Sequence, residues 1–154
     1  MNIETIATAK RTARIAGFIY LIVVLTGMFS LGYVSSKVNP ENDLSVTIKN
    51  IASFEQLYRF GIFAEMLCYT AFLFLPLALY KLLKPVNERY AAVMVILVIV
   101  CVPISLSNII NKITLLDLAT NEATQQLFTS AELKNQVWLH LQKYTFGNRI
   151  AQIF

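Results

Sequence analysis

Charge is what this sequence has least of. Only 14% of its 154 residues are Asp, Glu, Lys or Arg, against about 25% in ordinary soluble domains. A soluble surface needs charge to cover it and a lipid-facing surface does not, so the deficit argues against a soluble domain. Histidine occurs once, at position 140, on a polar segment without a neighbouring Cys or second His, which argues against metal ligation and general-base work. Cysteine occurs twice, and both Cys68 and Cys101 fall inside apolar runs with no Cys-x-x-Cys spacing. A disulfide framework is therefore not indicated, and both read as small apolar packing residues. No GxSxG, HExxH, phosphate-binding loop, GxGxxG or carboxylate pair at catalytic spacing is present, so no catalytic residue, metal ligand or cofactor is assigned. The net charge of +4 is not gathered on one soluble face; the basic residues flank apolar runs. Nucleic acid is a poor partner for such a distribution, and membrane topology explains it better.

What is abundant is apolar sequence: 56% of the chain, with a mean hydropathy of +0.59. It is concentrated in three runs. The first is 15–34, without a charge; twenty helical residues rise about 30 Å, the thickness of a hydrocarbon core. The second is 60–83, bracketed by Arg59 and Lys81 and containing Glu65 and Pro76, and the third is 90–110, containing Pro103 and turning polar through Ser105, Ser107, Asn108, Asn111 and Lys112. Between the last two, Pro85 stops one helix and Asn87 is placed to cap the next, which predicts a tight antiparallel hairpin. Residues 44–58 and 130–145 are too polar to span. The first has apolar residues at helical spacing, and the second opens on a Thr129-Ser-Ala-Glu132 capping box and carries Trp138; both are predicted to be helices lying on the membrane. From about 146 the chain resumes an apolar pattern that stops too soon to cross. The expected architecture is an all-α, polytopic transmembrane bundle, one membrane domain over 1–154 with three full spans and the start of a fourth.

Lys10, Arg11 and Arg14 precede the first run, and Lys81, Lys84 and Arg89 surround the hairpin. By the positive-inside rule both sites face the cytoplasm, which places the N-terminus inside. Arg59, Arg14, Lys81, Lys84, Arg89 and Trp138 are the candidate membrane anchors, and the basic rim is a candidate contact for anionic lipid headgroups. Ala9, Ala13 and Gly17 repeat at four-residue spacing, a face suited to close helix packing and to homo- or hetero-oligomers.

Glu65 is the residue that asks for an explanation. It lies six residues beyond Arg59, about 9 Å of helical rise into the run, so inside the outer leaflet and short of the midplane. In the orientation above, the start of the second span and the end of the third share one side. Glu65, Asn108, Asn111 and Lys112, with Tyr69 one turn further along, form the candidate polar cluster, with Thr26 and Ser30 as further neighbours. The plain reading is an interhelical polar contact that fixes packing; the functional one is a proton-, cation- or ligand-handling carboxylate.

The stretches RTARIAGFIYL, Asp43-x-x-x-Thr47-x-x-Asn50-Ile51, LYRFG and LYKLLKPVN, taken together, resemble a bacterial integral membrane family known only as a domain of unknown function. The resemblance covers nearly the whole chain. It implies a bundle of about six helices, of which this chain would hold a C-terminally shortened part, and it implies no reaction. Members often place an Arg early in the third span, where this chain has AAVMVILVIVCVPIS. The leading expectation is a structural or accessory protein of the bacterial inner membrane without catalysis. The alternative is a small transporter or permeation unit using Glu65 in an outer-side pocket, and a third, weaker option is a membrane enzyme acting on a lipid or quinone.

Overall fold

The computed structural model describes the backbone of residues 3–38 and 43–153, and side chains within residues 7–38 and 43–153. All regular structure among the described residues is helical. Helix α1 (Ile3–Gly27) passes into a π-helical segment (Met28–Val34) and a short α2 (Ser35–Val38); α3 (Leu44–Ser53) precedes α4 (Glu55–Leu83), α5 (Glu88–Thr120), α6 (Glu122–Gln126) and α7 (Ser130–Ala151). Three helical stretches, Ala7–Val38, Glu55–Leu83 and Glu88–Thr120, are long and apolar enough to cross a membrane. Their large apolar side chains point outward in numbers that water would not tolerate: Phe18, Met28, Phe60, Phe63 and Ile110 are each exposed over more than 60% of their surface. Such a surface matches a lipid bilayer.

Local chemistry sets the element ends. Asp43 caps α3, its Oδ1 accepting from the backbone N–H of Ser45 at 2.7 Å and of Val46 at 3.3 Å. Asn87 caps α5 through the Tyr90 N–H at 3.2 Å, after the turn carrying Pro85. The Thr129–Glu132 capping box opens α7; all three caps satisfy amides that the first helical turn leaves without partners. Helices α4 and α5 run on through Pro76 and Pro103.

Helix α1 and its π-helical extension lie antiparallel to α4. The Cys68 thiol donates to the Val23 carbonyl at 3.4 Å, Ser30 meets Glu65, and Val34 lies against Gly61, where a Cβ would come within 2.9 Å of Val34 Cγ1. Gly61 is thus the point where two backbones approach too closely for a side chain. Continuing this register places Arg11 and Arg14 level with Lys84 and Lys81, so the basic groups gather at one end. The apolar core lies toward the other end, where Val34, Val38, Ile51, Tyr58, Ile109, Leu115, Leu116 and Val137 bring α2, α3, α4, α5 and α7 together.

Four boundaries differ from the sequence reading. The segment 44–58 is not one helix: the chain leaves helical geometry at Phe54 (φ −111°, ψ 34°), and Tyr58 enters the core from the first turn of α4. Helix α1 begins well before residue 15. Helix α5 does not end near 110 but reaches Thr120, because Leu115, Leu116, Leu118 and Ala119 are buried against neighbouring elements. Helix α7 does not break at 146. It continues to Ala151, whose carbonyl accepts from the Cys101 thiol at 3.4 Å, so its second half lies alongside α5.

Candidate functional site

The π-helical segment, α4, α5 and α7 each send one or more polar side chains to a common centre, and Glu65 occupies it. The carboxylate is 1% exposed. Its Oε2 accepts from Lys112 Nζ at 2.6 Å and from Ser30 Oγ at 3.3 Å. Its Oε1 accepts from the Tyr144 hydroxyl at 2.6 Å and from the Tyr69 hydroxyl at 3.4 Å. Lys112 is buried as well, and its ammonium sits 4.8 Å from the centre of the Tyr144 ring. The two charges can meet although their positions are staggered along the hairpin. Helical side chains lean toward their own N-terminus: Lys112 leans back toward the 108 turn, and Glu65 leans toward Gly61. The Ser30 contribution depends on the π-helical stretch, a rare geometry that recurs at functional positions.

A second set of polar groups joins α5 to α7. The Asn108 amide donates to the Tyr144 carbonyl at 2.7 Å and to Asn148 Oδ1 at 2.9 Å. The Asn111 amide donates to Asn108 Oδ1 at 3.0 Å, and its own Oδ1 lies 3.0 Å from His140 Nδ1. Gly147 faces Asn108 so closely that any side chain there would run into the amide. Burial first, and then the Glu65 carboxylate, push the Tyr144 phenol above its ordinary range, so Tyr144 is a hydrogen-bond donor at physiological pH. Burial, and secondarily Lys143, hold the His140 imidazole below its ordinary value.

Of the predicted cluster, the structure brings Lys112 and Tyr69 to Glu65. Asn108 and Asn111 turn to α7 instead. Thr26 donates to the backbone of its own helix, to the Ile22 carbonyl at 2.6 Å, while Ser30 reaches the carboxylate. Arg59 pairs with Glu55 at 2.7 Å and Lys84 with Glu88 at 3.1 Å, both on the surface; Arg14, Lys81, Arg89 and Trp138 are exposed. Sequence reasoning missed Tyr144, Asn148 and Gly147 and left His140 without a partner. A signal existed: His140, Tyr144 and Asn148 repeat every four residues and form one polar stripe on α7.

Cavities lie on two sides of the Glu65 centre. One, of about 180 Å³, is lined by Lys112 and Tyr144 with Ser35, Val38, Thr47, Tyr58, Leu141 and Thr145. The other, of about 210 Å³, is lined by Tyr69 with Leu31, Cys101, Ser105, Asn148, Ala151 and Gln152.

Residues 15–154 match the model of the family described as Domain of unknown function (DUF4386), and the chain belongs to that family. No curated protein and no solved structure matches the chain.

Proposed function

We propose that this is a multi-pass protein of the bacterial inner membrane with a structural or accessory role, in which the Glu65–Lys112 pair is an internal clasp. One observation carries this reading: both oxygens of Glu65 are taken up by donors from four separate segments, Ser30, Tyr69, Lys112 and Tyr144. A carboxylate so enclosed ties helices together and has no lone pair turned toward open space. A buried charge in lipid is costly unless paired in this way. The gathering of Lys10, Arg11, Arg14, Lys81, Lys84 and Arg89 at one end supports a cytoplasmic N-terminus, and their exposure supports contact with anionic lipid headgroups. Enrichment of phosphatidylglycerol in the purified protein, lost when these residues are neutralised, tests the lipid contact.

The second reading, a small transporter or permeation unit, is favoured by the cavities on two sides of Glu65. One experiment separates the two. Under the clasp reading, Glu65→Gln lowers the yield of folded protein in detergent. Under the transport reading, the variant folds and loses proton- or ion-dependent uptake into proteoliposomes.

A further inference from the structure

The cavity of about 180 Å³ between α2, α3, α4, α5 and α7 has a hydrogen-bonding pattern that selects what it can hold. Two donors face it uncommitted. Tyr58 is 5% exposed, lines the cavity, and has no hydrogen-bond partner among the described residues; no fully buried side-chain polar atom there lacks one, so its hydroxyl reaches the open space. Lys112 directs one N–H to Glu65 and lies over the Tyr144 ring, and an ammonium has three N–H groups. Two acceptors face it as well. Ser35 and Thr145 give their hydroxyl hydrogens to the Ser30 carbonyl at 3.3 Å and the Leu141 carbonyl at 2.9 Å, which leaves their oxygen lone pairs. Val38 and Leu141 supply an apolar side.

Charge decides the rest. Glu65 already neutralises Lys112, so an anion in this partly open cavity would find no free counter-charge, and a cation would meet the ammonium; both are disfavoured. A neutral group that donates and accepts at once fits, and the hydroxyl is that group. The volume equals the liquid share of about six water molecules. We infer that this cavity is a binding site for a small uncharged polyol of the size of glycerol, its oxygens on Tyr58, Lys112, Ser35 and Thr145 and its carbons on Val38 and Leu141. The site stands apart from the clasp reading and does not require transport.

The probe is glycerol, presented to protein purified without it in a detergent lacking a sugar headgroup, with saturation-transfer NMR as the readout. Saturation reaches glycerol at millimolar concentration and does not reach propionate. Tyr58→Phe and Thr145→Val, which leave the Glu65 pair intact, each weaken the binding about fivefold, the effect of one neutral hydrogen bond. A glycerol headgroup on phosphatidylglycerol carries the same chemistry: displacement of glycerol by dihexanoyl phosphatidylglycerol assigns the site to lipid, and its absence to the free polyol. No saturation of glycerol means a cavity filled by water alone and overturns the inference, as does equal saturation of propionate or unchanged binding in both variants.

Discussion

Breaking the Glu65–Lys112 pair on one side only should be far more damaging than removing both charges. The side chains of Glu65 and Lys112 are 1% and 6% exposed, and their charged atoms lie 2.6 Å apart. In Glu65→Gln the carboxamide keeps the size of the carboxyl, but its NH2 group must face either the Lys112 ammonium or the two phenols, placing donor against donor. Lys112 then holds a full charge in a buried site, which costs about 3–5 kcal/mol. Lys112→Met leaves the carboxylate with three hydroxyl donors, Ser30, Tyr69 and Tyr144, so its cost lies near the lower end, about 3 kcal/mol. The double variant contains no unpaired charge. The coupling between the two substitutions should therefore be about 2 kcal/mol or more in the favourable direction. The chain has one Trp, at 138, so unfolding in detergent can be followed by its fluorescence. With about 3 °C per kcal/mol for a chain of this size, the single variants should melt about 9 °C or more below the parent, with the double variant recovering part of that loss. Single variants that melt within about 2 °C of the parent, or a double variant whose loss is the sum of the two, would refute the clasp.

Gly147→Ala forces a methyl group into the Asn108 amide; it should destabilise the fold by about 1–3 kcal/mol as overpacking does, while Gly17→Ala, with open space around it, should be neutral or stabilising in the same melt. Burial holds the His140 imidazole below its ordinary value of about 6.5, so the folded state binds the proton less readily than the unfolded one. Its contribution is complete above about pH 6.5 and is lost as pH falls through the lower folded value; melting temperature should drop across that window, and His140→Gln should flatten the slope. Under the proposed orientation, a cysteine introduced at the exposed Lys49 on α3 should label from the periplasmic side with an impermeant reagent. Labelling only from the cytoplasm would reverse the topology.

The three apolar stretches were legible in the sequence because each shows a composition that only lipid explains. The end of α5 was not. Reading hydropathy along the chain, Asn108, Asn111 and Lys112 look like the place where a helix leaves the membrane, but the chain continues as helix to Thr120. An average over neighbours cannot tell a polar end from a polar face, and here Ile109, Ile110 and Ile113 surround the polar positions. Spacing separates the two. Ser105, Asn108, Lys112, Leu115 and Ala119 are all buried and step by three or four residues, one face of a helix. In water the apolar stripe marks the inside; in lipid the polar stripe does, because polar groups turn away from hydrocarbon. The same reversal makes Ser30 and Glu65 inward-facing; α7, which is not one of the three lipid-crossing stretches, turns both apolar Val137 and polar Tyr144 and Asn148 into the bundle. What no local rule could supply was the partner. Tyr144 lies 79 residues from Glu65, and two inward polar faces become a pair only when the hairpin register and the return of α7 set them at one depth. The sequence therefore carries the direction of each polar group, while the register of the bundle decides which of them meet.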